Sequence, residues 1–163
     1  MKTLYIMRHP EKSLTYFKEE NFDLKLSEQG IAQAHLMGEK LKSLSICPDL
    51  LVASPAKRTR QTAEIMCEYL CYEKNIMYNE VLYNAFLNEL IETISYTFDT
   101  VNELFIIGHN PSLALLAHTF VNFKEEFKPC TVLKIEFNCN SWIDIDKENA
   151  NLLWVEQVFL TNN

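Results

Sequence analysis

Glycine is scarce in this sequence. Its 163 residues include three, Gly30, Gly38 and Gly108, each far from the others. Phosphate-cradling loops and dinucleotide-binding fingerprints need clustered glycines, so both are excluded. A Cys-x-x-Cys pair is also missing. The five cysteines are Cys47, Cys67, Cys71, Cys130 and Cys139. Only Cys67 and Cys71 stand at helical spacing, with no paired histidine or second cysteine pair. No metal is therefore expected, and the cysteines read as reduced thiols serving as small core residues. Positive charge is not in excess either: the formal net charge is -7. That argues against a nucleic-acid binder, which would show a basic stripe, and offers nothing to an anionic membrane. No apolar run is long enough to span a bilayer, and the run in "MKTLYIMRH" is shorter than a signal-peptide core. A cytoplasmic address is expected. No repeat, low-complexity tract or Pro/Ser-rich linker divides the chain, so residues 1–163 read as one domain.

What is present alternates strand and helix. Hydrophobic residues make up 48% of the chain, enough for a sizeable core. Thr3–Met7 is a continuous apolar run, as in a strand covered on both faces. A polar and aromatic loop follows to about Leu26. Ser27 then caps a helix to about Leu44, with Ile31, Ala34, Leu41 and Leu44 on its apolar face. Asp49–Ser54 is a second buried strand, followed by a helix with Ser54 as cap and Pro55 as first residue, reaching about Leu70. Ile76–Tyr78 reads as a short strand and Asn88–Phe98 as a helix. Leu104–Ile107 is a strand, and Asn110 and Pro111 open a helix to about Phe120. Thr131–Phe137 and Leu152–Leu160 alternate as strands do. The expected class is α/β: a three-layer α/β/α sandwich around a central, mostly parallel sheet.

In such a sheet, ligands sit at the carboxyl ends of the strands. The first strand ends in Arg8-His9. The second ends in Ser54-Pro55 and opens a helix carrying Lys57, Arg58 and Arg60. A third ends in Gly108-His109. Each has an ordinary alternative: Arg8 as a solvated strand-end charge, His9 as a core histidine, the cations after Pro55 as a solvated helix face, and His109 as a turn residue. Three such junctions in one sheet instead form an anion site with two nucleophile candidates, which suits phosphoryl transfer. His35 and His118 fall inside helices and read as structural. Tyr16, Phe17 and Phe22 in the early loop read as packing onto the domain or as a partner surface.

"MRHPEKS", "LSEQG", "SPAKRTRQTA" and "IIGHNPSL", in that order, resemble the histidine phosphatase superfamily, with its phosphoglycerate-mutase-like fold. The short length, Leu82-Tyr83-Asn84-Ala85 and Cys130–Phe137 followed by Trp142 resemble its small SixA-type phosphohistidine phosphatases. The resemblance implies that His9 is the nucleophile, that Arg8, Arg58 and His109 hold the phosphoryl oxygens, and that no metal or organic cofactor takes part. The substrate it implies is a phosphohistidine on a protein. The alternatives are a small phosphorylated metabolite, or an inactive relative that only binds phosphate. This chain departs from the family at three places. Pro10 stands where Gly or Ala is usual. Glu11-Lys12-Ser13 stands in a loop where larger members place an asparagine on phosphate. Tyr83-Asn84 stands near where larger members place an acidic Glu. Glu80 and Glu89 are the nearest carboxylates in sequence and read as solvated charges.

Overall fold

A computed structural model describes residues 1–14 and 21–160; Tyr16 and Phe17 lie outside the described residues. Four strands run parallel: β1 (Lys2–Arg8), β2 (Leu50–Ala53), β3 (Met77–Tyr78) and β4 (Glu103–Gly108). Two more, β5 (Val132–Phe137) and β6 (Ala150–Glu156), add an antiparallel edge. The order across the sheet is β3-β2-β4-β1-β5-β6, which puts β1 and β4 side by side at the centre.

The apolar runs owe their continuity to burial on both faces. In β1, Leu4 and Ile6 enter one core while Tyr5 and Met7 enter the other. The same split recurs in β4 between Leu104 and Ile106 on one side and Phe105 and Ile107 on the other. One face is covered by α1 (Glu28–Ser43) and α2 (Lys57–Tyr69). The other is covered by the short α3 (Val81–Asn84), α4 (Leu87–Ser95) and α5 (Ser112–Val121). The three-layer α/β/α arrangement expected from the sequence is thus observed.

Several local expectations change. The buried face of α1 is Gly30, Ala34, Met37, Gly38 and Leu41, while Ile31 and Leu44 face solvent. The glycines explain the rotation. A methyl group on Gly30 would overlap the Glu11 carbonyl, and one on Gly38 would overlap the Tyr69 ring. Gly30→Ala is accordingly expected to displace the loop after β1 and to cost about 1–3 kcal/mol, as overpacking does; a urea midpoint equal to wild type would refute the contact. Strand β6 begins two residues before Leu152 and ends at Glu156, because its pairing with β5 finishes at Val132 opposite Glu156. Helix α4 ends at Ser95 rather than Phe98. The fifth helix starts at Ser112, one residue after Pro111.

At the amino ends of the strands Lys2 is buried, yet satisfied. Its ammonium donates to the Asp99 and Val101 carbonyls and to Asn102 Oδ1 at 2.7–3.1 Å. Nearby, Cys47 pairs with Cys71 as a disulfide, with Cα atoms 4.8 Å apart. This corrects the expectation of five reduced thiols. The loop into β2 and the chain leaving α2 meet at one edge, a proximity that a sequence separation of 24 conceals. Cysteine chemistry therefore no longer argues for a reducing compartment. Among the described residues no helix is long and apolar enough to cross a membrane.

Candidate active site

The carboxyl ends of β1, β2 and β4 meet as their adjacency requires, and they bring together all four residues singled out in the sequence. A partly enclosed cavity of about 160 Å³ is lined by Arg8, His9, Arg58 and His109. The His9 and His109 rings lie 5.1 Å apart. Arg58 bridges them, with Nε donating to His9 Nε2 and Nη2 to His109 Nδ1, both at 3.2 Å. It is 3% exposed, whereas its neighbours Lys57 and Arg60 point outward and Arg60 stacks over the Tyr78 ring. Successive helical residues turn by about 100°, so one of three cations reaches the sheet.

Each side chain is held from behind. His9 Nδ1 lies 2.6 Å from the Pro10 carbonyl oxygen. A carbonyl only accepts, so Nδ1 carries the proton and Nε2 presents a lone pair. The Pro10 carbonyl thus sets the tautomer, while the ring of Pro10 fixes its own φ. Arg8 Nη1 donates to the Phe127 carbonyl at 2.8 Å, and its buried Nε has no partner among the described residues. The Cys130 amide reaches back to both the Arg8 and His9 carbonyls, at 3.1 and 3.2 Å, from a left-handed backbone of φ 63°. A non-glycine residue held there carries strain of order 1–3 kcal/mol. Ser54 is not the expected helix cap. The cap position falls to Ala56, and the Ser54 hydroxyl lies 2.8 Å from His109 Nε2. Because His109 Nδ1 accepts from Arg58, its Nε2–H donates to Ser54.

Five further residues line the cavity that the sequence did not mark as site residues: Lys12, Asn21, Tyr83, Asn84 and Asn110. Lys12 reaches it because the loop after β1 is pinned at its stem. Lys12 pairs with Leu26 in an isolated bridge, Ser13 N–H donates to the Lys25 carbonyl, and Leu26 N–H donates to Gln61 of α2. The Asn21 carbonyl accepts from Arg58 Nη1 at 2.5 Å. Phe22 packs edge-on to Tyr83, with centroids 5.1 Å apart, which settles it as packing onto the domain. Glu80 and Glu89 are exposed and outside the cavity. His35 hydrogen-bonds Tyr69 and His118 is exposed, both away from the site.

The electrostatics favour neutral imidazoles among fixed cations. Burial is the main cause that pushes His9 down to about 3, with Arg58, Arg8 and Lys12 adding to it against the Pro10 bond. Burial likewise pushes His109 down to about 2, helped by His9 and the same cations. Burial also lowers Arg8 and Arg58, which stay charged at neutral pH. Unfolding returns both histidines to about 6.5. Between about 3 and 6.5 the unfolded chain therefore binds more protons than the folded one, and stability falls as pH drops through that window. The expected slope is at most about 1.4 kcal/mol per pH unit for each histidine. Urea midpoints at pH 7 and pH 5 without phosphate would measure it, and His109→Gln should flatten the slope. A midpoint independent of pH would contradict the burial of both rings.

Residues 4–86 match the sequence profile of the histidine phosphatase superfamily, branch 1. The chain belongs to this superfamily. The matched stretch holds Arg8, His9 and Arg58 and stops before His109. Among relatives by sequence, an uncharacterised protein of Mycobacterium tuberculosis is 33% identical over 95 residues. The alignment covers 58% of this chain and 58% of that relative. A candidate phosphohistidine phosphatase SixA from Nakamurella multipartitia superposes with a TM-score of 0.82 at 20% identity, covering 96% of this chain and 95% of that one. The protein histidine phosphatase SixA in complex with tungstate gives a TM-score of 0.80 at 18% identity, covering 95% and 96%. At these identities the superpositions establish the shared fold.

Proposed function

We propose that this chain is a phosphatase that works through a phosphohistidine on His9 and acts on phosphohistidine carried by a protein. The observation that carries the reading is the His9 tautomer. The Nδ1–H bond to Pro10 leaves Nε2 as a neutral base facing a cavity with three cations. In this reading an Nε2–P bond forms as the bond to the leaving group breaks, and water then cleaves the Nε2–P bond to release phosphate. Arg8 and Arg58 neutralise the oxygens, more strongly as charge spreads in the transition state. The incoming phosphoryl dianion favours the protonated form of His109, which then donates to it. In this reading protein groups alone hold the phosphate, and no metal or organic cofactor takes part.

Two features favour a protein-borne phosphohistidine over a metabolite. The cavity of about 160 Å³ suits little more than the phosphoryl group, and it shares Arg8, His9 and Lys12 with a groove of about 480 Å³. No carboxyl group lines the cavity among the described residues. An alkoxide leaving from a sugar phosphate would need a strong acid there, whereas an imidazole leaves more readily. The SixA structures that share the fold are described as histidine phosphatases, in line with this choice.

The test is to quench the protein after mixing with a radiolabelled phosphohistidine protein, then to compare its turnover with that of sugar phosphates and nucleotides. Acid-labile label on His9 and a kcat/KM at least about tenfold higher for the phosphoprotein are expected, a difference of 1.4 kcal/mol. Faster turnover of a metabolite would reassign the substrate and keep the nucleophile. Phosphate binding without label from any donor would leave only a binding module.

A further inference from the structure

When the bond to phosphorus breaks, its electron pair stays on the departing group, and a basic group needs a proton to leave. Most side chains in the cavity have none to give. The single N–H of His9 goes to Pro10. His109 is neutral in the site as it stands, with Nδ1 accepting from Arg58 and Nε2–H directed to Ser54, and a proton that the phosphoryl dianion brings to Nδ1 is held by the phosphoryl oxygens. Guanidinium groups do not release protons at neutral pH. The Lys12 ammonium lies 3.4 Å from Asn21 Oδ1.

Lys12 and Tyr83 are the two exceptions, and of these Tyr83 is the one whose direction is fixed by packing. Its ring stands edge-on between Phe22 and His109, with centroids 5.1 and 5.5 Å away, so its direction is fixed. Its hydroxyl oxygen accepts from Asn21 Nδ2 at 3.5 Å, the outer limit of a hydrogen bond. Among the described residues nothing accepts the phenolic proton in return. The oxygen is thus supported as an acceptor while its own O–H is free to point into the cavity. Asn21 links the group to Lys12 through its other end. Arg58 is a second cation lining the same cavity. A phenoxide formed here would be held by an amide and by positive charge.

We propose that Tyr83 is the acid and base of this site, a role that rests on the phosphatase reading. In the first step the Nε2–P bond forms and the bond from phosphorus to the leaving group breaks. The leaving group takes the phenolic proton, at its departing atom or, for an imidazole, at the conjugated ring nitrogen. In the second step the phenoxide takes a proton from the attacking water. An O–P bond forms, the Nε2–P bond breaks with its electron pair returning to Nε2, and Tyr83 is a phenol again. Both steps balance without another reactant. A phenol is a weaker acid than a carboxylic acid, so the site gains modest help with basic leaving groups and keeps its preference for readily departing ones.

The test uses the full chain and a series of aryl phosphates, from 4-nitrophenyl through chlorophenyl to phenyl phosphate. Wild type should show a shallow dependence of kcat/KM on leaving-group basicity. Tyr83→Phe keeps the ring and its packing, removes only the hydroxyl, and should steepen that dependence. The expected loss is a few-fold on 4-nitrophenyl phosphate and about 10²-fold on phenyl phosphate. A uniform loss across the series would mean that Tyr83 only shapes the pocket. A dependence already steep in wild type, or one left shallow in Tyr83→Phe, would also overturn the proposal; the latter would transfer the role to another donor such as Lys12. The phosphatase reading is judged separately by His9-dependent turnover of 4-nitrophenyl phosphate. If wild type lacks that activity and forms no phosphoenzyme, both readings fall.

Discussion

His9→Ala is expected to lower turnover by about 10⁴-fold or more and to abolish the acid-labile phosphoenzyme, as loss of a covalent nucleophile does elsewhere. The size of the effect follows from the role. Arginine groups that remain can still bind phosphate, but with no Nε2 lone pair there is no first step to accelerate. Phosphate affinity should therefore survive in His9→Ala to within about tenfold, since the neutral imidazole adds little charge to the pocket. This combination, binding kept and labelling lost, separates a nucleophile from a residue that merely fills the cavity. Folding is the competing explanation for lost activity, and the mutation removes a buried ring. His9→Asn is a useful second variant because its side chain can still reach the Pro10 carbonyl. Residual label in either variant would assign the intermediate to another residue, with His109 the nearest imidazole at 5.1 Å.

Arg58→Ala is expected to cost about 3–4 kcal/mol in the barrier, about 10²–10³-fold, by analogy with other preorganised donors to developing negative charge. The loss should appear mainly in kcat, because charge on the phosphoryl oxygens spreads in the transition state. Arg58 also organises the site: its three nitrogens bind His9, His109 and the Asn21 carbonyl. Its removal releases both imidazoles and the loop at once. Lysine cannot reproduce three divergent donors from a planar fork, so Arg58→Lys should regain at most about tenfold in rate over Arg58→Ala, about 1.4 kcal/mol of the barrier. Arg60→Ala is the control, since that guanidinium lies outside over Tyr78; it should stay within about 0.5 kcal/mol of wild type in stability. Unchanged turnover in Arg58→Ala would remove it from the phosphate site.

Much of the site was readable because it is built from short segments at strand ends. Arg8-His9, Ser54-Pro55 with Arg58, and Gly108-His109 each follow a recognisable buried strand, and strand ends in a parallel sheet converge. Other parts escaped because their position depends on contacts far apart in sequence. Lys12 is one charged residue among several in a loop until Leu26 and Gln61 pin that loop over the sheet. Asn21 is unremarkable until its carbonyl meets Arg58. Ser54 before Pro55 reads as a helix cap, yet its hydroxyl goes to His109. A serine hydroxyl serves whichever partner tertiary packing supplies. Gly30 and Gly38 misled the α1 pattern because a glycine counts as neither apolar nor polar in a periodicity, although both mark where the helix touches its neighbours.

Sequence alone determined that this chain folds as alternating strands and helices with both sheet faces buried, and that an arginine-histidine pair ends one of its strands. Those properties are local: apolar periodicity, helix-starting residues, and proline or glycine at chain reversals. Only the tertiary structure decided which of Lys57, Arg58 and Arg60 faces the pocket, which nitrogen of His9 carries the proton, that Cys47 meets Cys71, and that Tyr83 stands beside His109. Each of these depends on an angle or a distance between segments tens of residues apart. Hydrogen-bond roles and proton positions change within an ångström, while the pattern of apolar residues does not.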